Sequence, residues 1–432
     1  MKIEVPRGMR DIEWQESIYI DLMKQKFIDV AQRFNFVFME PSPLEMLSTL
    51  EAKSGTSISN ETYSFVDKGG RKVGLRFDFT VGLSRFVCQR RDLKMPTKLA
   101  SFGGVWRYDE PQAGRYRFFH QWDIEIFGSL SEDADSEIIE FTSKFFDLLG
   151  LNVVIQINHR RIIETYLNEV LGISERSTIA EMLRAVDKLS RKTPRQLFDE
   201  YRGKLDLTNL QKLFEFSSFK GKPEECLVRN TLENFDAWKS TVRVFDTLRS
   251  RNLKNVQLNF GTVRGLDYYS GLVFEIFDPS TNIGALAGGG RYDKLPEIFG
   301  RRDIGATGAA GGVERIIAAM VSQKLLNVKS KPLIYVVYSS EQVKNHAIQL
   351  VSNLRNYGYK VDYTLQAKSA KRQINDAISR NAAVIIFFDQ EELNRQLVTV
   401  RNDKGIESKV RIENLMEKID EMGLGGFKRN LV

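Results

Sequence analysis

A chain of 432 residues is too long for one ordinary hydrophobic core, so length alone points to two or three domains. Apolar residues make up 42% and charged residues 28%, which excludes a disordered or fibrous chain. The formal net charge of +7 permits a polyanionic partner without identifying one.

In chain order, the opening MKIEVPRGMR lacks the apolar centre of a signal peptide, and no apolar run is long enough for a membrane span. No membrane is therefore expected, and the expected location is the cytoplasm. From Ile12 to Phe34 apolar residues recur at helical spacing, predicting an amphipathic helix. Segments 72–80, 98–109 and 115–127 read as strands, the last two joined by a turn at 110–114 that carries Pro111 and Gly114. Residues 131–150 and 160–171 look helical, and about 172–250 is a charged, helix-favouring stretch that reads as an inserted helical module. Strand character returns at 255–278, followed by the glycine-dense segment 284–293 and an apolar helix beginning near Gly312. NVKSKP at 327–332 marks a linker, after which strand (333–338), helix (341–357), strand (360–365), helix (369–380) and strand (383–388) alternate as a compact βαβαβ domain. The expected domains are 1–326 and 332–432.

The chemistry concentrates in a few of these segments. In RYRFFHQWDIEIF (115–127) the even positions Tyr116, Phe118, Trp122, Ile124 and Ile126 are apolar, whereas the odd ones include Arg115, Arg117, Gln121, Asp123 and Glu125. A Gln-Asp-Glu row beside arginines suits a ligand better than a solvated face, although Glu125 pairing with an arginine such as Arg117 is the plain alternative. The preceding strand carries Gly103 and Gly104, which weaken a strand unless something approaches its backbone closely, and ends on Arg107, suited to a phosphate or carboxylate. VGLRFDFT alternates in the same way and sets Arg76, Asp78 and Thr80 on one face, a carboxylate and a hydroxyl suited to an ammonium group. RGLDYYSGLVFEIF (264–277) places Arg264 before a strand with Tyr268 and Tyr269. GALAGGGRYDKL (284–295) follows, and its triple glycine reads either as a flexible hairpin connection or, better, as a loop closing over a ligand. GATGAAGGVERIIAAM (305–320) puts Gly311 and Gly312 at a helix start, with Arg315 placed to meet a base or a terminal phosphate. Neither a Walker loop nor a dinucleotide-binding GxGxxG is present. Cys88 and Cys226 are too few and too far apart for a disulfide framework or a zinc cluster.

Taken together and in this order, these segments resemble the class II aminoacyl-tRNA synthetases, and among them the class IIa histidyl family. FGGVWRYDEPQAGRYRFFHQWDIEIFG (102–128) is similar to motif two of that class and the segment ending GGVERIIAAM to motif three. RGLDYY (264–269) and AGGGRYD (287–293) resemble the two histidine-specific signatures, and PRGMRDI (6–12) the family's amino-terminal start. The resemblance implies an α+β fold, with an antiparallel-sheet catalytic core followed by an α/β anticodon-binding domain. It also implies homodimerisation through motif one near 12–47, in which either Pro41 or Pro43 matches the family's proline.

By the same resemblance Asp78, Thr80 and Gln121 take the histidine ammonium, and Glu125 and Tyr269 the imidazole, with Tyr268 among the histidine-binding residues. Arg107 and Arg264 hold the α-phosphate of ATP from opposite sides, and Arg315 packs near adenine and the γ-phosphate. Asp78 stands where bacterial members generally have glutamate. The implied reaction consumes L-histidine and ATP with Mg2+ and charges tRNA(His); the sequence names no metal ligand. The rivals are the synthetase-like, non-catalytic regulatory subunit of ATP phosphoribosyltransferase, another class IIa synthetase, and a pure RNA-binding module.

Overall fold

The apolar stripe at the start of the chain forms α1 (Trp14–Arg33), whose buried Ile20, Met23, Phe27 and Val30 recur three or four residues apart. The structure, a computed structural model, describes residues 4–424 apart from 55, 111–115, 190, 264–268 and 327–330. The chain divides into two compact units, 1–326 and 327–432.

Among the described residues the main sheet of the first unit has nine strands: β1 (Val37–Phe38), β2 (Thr97–Trp106), β3 (Phe118–Phe127), β4 (Val154–His159), β5 (Lys220–Gly221), β6 (Val256–Asn259), β7 (Leu272–Phe277), β8 (Ala285–Arg291) and β9 (Ala306–Gly312), while Leu44–Met46, Ser64–Val66 and Lys72–Leu75 form a separate small sheet. The strands of the main sheet follow the order β1-β2-β3-β9-β8-β7-β4-β6-β5. The six central strands from β2 to β4 pair antiparallel throughout. Helix α2 (Thr80–Gln89) covers part of one face, α3 (Glu132–Leu148) and α4 (Asp236–Ser250) pack against each other, and α5 (Val313–Ser322) follows β9 directly.

Three local expectations change. The strand read over 72–80 stops at Leu75, and Thr80 already opens α2. The glycine-dense segment is neither a connection nor a closing loop: Ala285–Arg291 is a strand of the sheet interior, paired on both edges. Gly311 likewise belongs to β9, with the helix starting at Val313. Glycine opposes strand formation in isolation, but here main-chain bonds to two neighbours override that preference.

Residues 172–250 are mainly helical, yet Met182, Leu197, Leu210 and Leu213 join the hydrophobic cluster that contains Trp122 and Phe27. The short β5 extends the main sheet from within this stretch. In the second unit β10 (Leu333–Tyr338), α6 (Glu341–Asn356), β11 (Lys360–Tyr363), α7 (Ala370–Ser379) and β12 (Val384–Phe388) follow the alternation read from sequence. Two further strands, β13 (Leu397–Asn402) and β14 (Glu407–Arg411), add antiparallel to give the order β11-β10-β12-β13-β14. Among the described residues no helix is long and apolar enough to cross a membrane.

Candidate active site

Strand β3 separates two cores. Its even residues Trp122, Ile124 and Ile126 pack into the larger one, where the Phe27 ring lies 5.8 Å from the indole of Trp122 and 5.5 Å from the ring of Phe145. On the opposite face Phe127 joins Phe79, Leu83, Val87 and Tyr292 in a smaller cluster, with Phe119 packed against it. Between Phe119 and Phe127 run Gln121, Asp123 and Glu125, which are only 4%, 0% and 2% exposed. The polar row is therefore enclosed, and each of its members must be compensated by hydrogen bonds, nearby charge or a ligand.

A pocket opens on this row. Asp78, Thr80, Arg107, Gln121, Glu125, Tyr269 and Tyr292 line it, with Gly308, Ala309 and Ala310 of β9 as one wall. The ladder sets Gly308 opposite Glu125 and Ala310 opposite Asp123. A Cβ at Gly308 would overlap the Glu125 carboxylate, so a carboxylate can occupy this wall only because residue 308 has no side chain.

Arg107 leaves the end of β2 and donates from Nε to the Phe77 carbonyl at 3.0 Å and from Nη2 to Gln121 Oε1 at 3.1 Å, with its guanidinium 5.0 Å above the Phe119 ring. Asp78 and Thr80 reach the pocket from the start of α2 rather than from alternate positions of a strand. Asp78 Oδ1 accepts the Val81 N–H at 3.3 Å, a placement in which the helix dipole favours a carboxylate. Burial pushes the Tyr269 phenol above its ordinary pKa, and the carboxylates of Glu125, Asp123 and Asp78 push it further, so Tyr269 stays a protonated donor.

The alternative of an arginine partner for Glu125 fails for Arg117. Arg117 donates to the carbonyls of Asp109 and Arg7, both at 3.1 Å, and its own N–H goes to the Gly8 carbonyl at 3.0 Å. Glu125 instead accepts a hydrogen bond from the phenol of Tyr292. Sequence reasoning assigned Tyr292 no site role, although it sits in the AGGGRYD segment.

The neighbours of Tyr292 fix its position. Arg291, only 8% exposed, donates to Asp135 Oδ2 at 3.0 Å, Ser129 O at 2.8 Å, Ser131 O at 2.9 Å and Asp293 Oδ1 at 3.2 Å. Asp293 Oδ1 also accepts the Ala306 N–H at 2.9 Å, and the Asp293 N–H donates to Ser270 Oγ at 3.1 Å. Ser270 is the residue after Tyr269, so this cluster joins the ends of the two tyrosine-bearing segments.

Arg315 is not among the residues lining the pocket; its Nη1 donates to the Ala285 carbonyl at 3.0 Å. Its neighbour Glu314 accepts the His120 backbone N–H at 2.9 Å and lies 3.0 Å from His120 Nδ1, which ties the first turn of α5 to β3. Arg264 and Tyr268 lie outside the described residues. Of the two candidate motif-one prolines, Pro41 is buried and Pro43 exposed. The Pro41 carbonyl accepts from Arg76 Nη1 at 2.7 Å, so the buried guanidinium of Arg76 fastens this segment to the sheet rather than facing a ligand. Among the described residues no group of three or more His, Cys, Asp or Glu side chains converges to hold a metal ion.

A family model described as histidyl-tRNA synthetase matches residues 8–316, and one described as an anticodon binding domain matches 333–422. The histidine–tRNA ligase of Pyrococcus furiosus is 30% identical over 96% of this chain and 98% of its own length. That of Pyrobaculum arsenaticum is 33% identical over 92% and 93%. Among solved structures, the histidyl-tRNA synthetase of Nostoc sp. PCC 7120 shares the fold with a TM-score of 0.80 at 21% identity, over 98% of this chain and 99% of that one. A Bacillus halodurans C protein titled an ATP phosphoribosyltransferase regulatory subunit/histidyl-tRNA synthetase aligns with a TM-score of 0.73 at 21% identity, over 90% and 98%.

Proposed function

Because this chain belongs to the histidyl-tRNA synthetase family, we infer that it activates L-histidine with ATP to histidyl-adenylate and transfers the histidine to the 3′ end of tRNA(His). The observation that carries this reading is convergence. Asp78, Thr80, Arg107, Gln121, Glu125 and Tyr269, each assigned to histidine or ATP by sequence resemblance, line one pocket.

The ammonium of histidine goes to Asp78, Thr80 and Gln121. The imidazole goes between Glu125 and the phenol of Tyr269, which offer an acceptor and a donor to a ring that carries both kinds of nitrogen, while the Tyr292 phenol holds the Glu125 carboxylate in place. This orientation leaves the substrate carboxylate towards Arg107. In the first step a carboxylate oxygen attacks the α-phosphorus of ATP, and the bond to pyrophosphate breaks as the new O–P bond forms. No protein nucleophile is required; the work is positioning and neutralising charge that grows on the α-phosphate. Arg107 supplies this from one side and Arg264 from the other, with Arg315 towards adenine and the γ-phosphate. In the second step a terminal ribose hydroxyl of the tRNA attacks the adenylate carbonyl and AMP leaves. Mg2+, brought with the ATP, would help neutralise the charge of its phosphates beside Arg107.

The second unit binds the tRNA, and a second copy of the chain covers the motif-one segment, where Val37, Phe38, Leu44 and Met46 are exposed apolar residues. The regulatory-subunit reading is disfavoured by the intact pocket and by the anticodon-binding match at 333–422. ATP–pyrophosphate exchange across all twenty amino acids tests the whole proposal. Exchange with L-histidine alone is expected; exchange with another amino acid reassigns the substrate, and none at all restores the regulatory reading.

A further inference from the structure

A carboxylate that lines no part of the pocket lies directly behind the pair of neutral groups assigned to the ammonium. Asp123 occupies the middle of β3, with Ser101 of β2 and Ala310 of β9 opposite it on the two sides. It is completely buried, and its Oδ2 lies 3.4 Å from Gln121 Nε2 and 3.5 Å from Thr80 Oγ1. These are long hydrogen bonds, of the kind that tighten when a site fills.

The consequence follows from donor and acceptor capacity. The Gln121 side chain has an oxygen that only accepts and a nitrogen that only donates, and a hydroxyl does both. Arg107 can only donate, and it donates to Gln121 Oε1 at 3.1 Å. Asp123 Oδ2 accepts, and it takes the Gln121 N–H at 3.4 Å. The two charged neighbours therefore fix the amide in one orientation, since a flip would set N–H groups against the guanidinium and the oxygen against the carboxylate. In the same way Asp123 draws the Thr80 proton inward and leaves the hydroxyl oxygen's lone pairs for the pocket. With the Asp78 carboxylate alongside, the subsite then presents acceptors only, which matches an ammonium group that carries three donors and no acceptor.

We propose that Asp123 is a positioning residue that makes the Asp78–Thr80–Gln121 subsite acceptor-only and so selects a charged ammonium over a neutral hydroxyl or amine at the substrate's α-carbon. The proposal rests on the reading that this subsite holds the histidine ammonium. Its sequence signal is the middle member of the odd row in 115–127, passed over because it touches the ligand only through its neighbours.

The test compares L-histidine with its α-hydroxy analogue, imidazole-lactate, by calorimetric titration of the full chain and of Asp123→Asn, alongside ATP–pyrophosphate exchange. Asparagine keeps the shape but can donate to Thr80 and Gln121, so the subsite regains mixed polarity. Asp123→Asn should bind histidine about 10- to 100-fold more weakly, the effect of losing charge-assisted hydrogen bonding. Its affinity for imidazole-lactate and its KM for ATP should stay within about 2-fold of the parent, a selectivity that general loosening of the pocket would not give. If the parent itself binds both ligands equally, the ammonium assignment of the subsite fails. If the parent discriminates but Asp123→Asn loses both ligands alike, or neither, the proposal fails and the assignment stands. Should the asparagine variant melt early, Asp123→Ser, smaller and free of overlap, must show the same ligand-selective loss. Failure of both variants to fold assigns Asp123 to stability and overturns the proposal.

Discussion

Strands β3 and β9 lie side by side in one sheet and contribute to the pocket in opposite ways. β3 supplies functional groups: Gln121, Asp123 and Glu125 on one face and Trp122, Ile124 and Ile126 on the other. β9, ATGAAGG, supplies almost no side-chain volume, and its partner β8 carries three successive glycines. The difference shows that a buried site needs space as a designed component. A carboxylate can be enclosed beside a strand only where the facing residue leaves room, and Gly308 leaves it for Glu125.

The comparison breaks most severely where the glycine strands are anchored. At the end of β8, Arg291 is held by Asp135, Asp293 and the carbonyls of Ser129 and Ser131. Arg291→Met keeps the length of the side chain but leaves two carboxylates, one of them nearly fully buried, without their cation. Removing one partner of a buried pair costs about 3–5 kcal/mol, so denaturant unfolding should show a loss of that size. A change under about 1 kcal/mol would reduce Arg291 to an ordinary surface contact.

Next comes the space itself. Gly308→Ala inserts a methyl group where the Glu125 carboxylate lies, so either the carboxylate leaves its place beside Tyr292 or the strands separate. Displacing a preorganised group lowers rates by on the order of 10²–10³-fold, and histidine-dependent exchange should fall accordingly. By contrast, Gly312→Ala meets nothing within 4 Å and should leave exchange near normal. Equal effects of the two substitutions would show that local strand propensity, not space for Glu125, controls the result.

These two strands also mark how far the sequence was legible. Alternation in β3 identified both its faces and put Gln121 and Glu125 together, because period two is a property of any strand with distinct sides. The same alternation misread 76–80: Asp78 and Thr80 do share the pocket, but as the start of α2, and a short polar-apolar run cannot distinguish a strand from an extended lead into a helix. The glycine strands were illegible as strands because their propensity opposes that state; only the pairing of distant residues stabilises them. Tyr292 drew no site role, and Asp123 none beyond its place in the polar row, for a related reason. Their roles come from what faces them, Glu125 across β9 and the Thr80 hydroxyl of α2, and that information is absent from local sequence. In the second unit the βαβαβ pattern was plain, whereas the antiparallel β13 and β14 beyond it drew no strand expectation.

A buried titratable group on the other side of the sheet sharpens the contrast between groups that serve a ligand and groups that serve the fold. His159 ends β4 and its Nδ1 accepts the Arg161 N–H at 3.2 Å, which requires a neutral imidazole. Burial first, and then the charges of Arg161 and Arg291, lower its pKa to about 4 against the opposing charge of Glu132. Between pH 6.5 and 4 the unfolded chain takes up a proton that the folded chain refuses, so stability falls as pH falls through that window and levels off below it. The full effect is about 3 kcal/mol, at roughly 1.4 kcal/mol for each pH unit. His159→Asn retains an acceptor for the Arg161 N–H but cannot titrate. Plotted against pH, the difference in melting temperature between the two proteins should grow in favour of the variant from pH 6.5 downwards; parallel curves would show that His159 does not resist protonation.

The smallest effect concerns Glu125 itself, the group for which β9 leaves space. Glu125→Gln preserves shape and the contact with Gly308 while removing the charge, so it separates the two contributions that Gly308→Ala alters together. Glutamine can still accept from the Tyr292 phenol, and the protonated Tyr269 is unaffected in its capacity to donate. What is lost is a charge-assisted bond to the imidazole N–H, about 1.5–3 kcal/mol, equivalent to a rise in the histidine KM of roughly 10- to 100-fold. The ATP KM should hardly change, because the purine and phosphates are assigned to Arg107, Arg264 and Arg315. The dependence of histidine binding on pH should also change, since the parent carboxylate favours a protonated imidazole and the amide does not. Steady-state exchange at several pH values, with melting temperature measured alongside, resolves these effects. An unchanged histidine KM, whatever happens to the melting temperature, would mean that the space beside Gly308 serves only to house the Glu125–Tyr292 hydrogen bond, and that the imidazole is chosen elsewhere in the pocket.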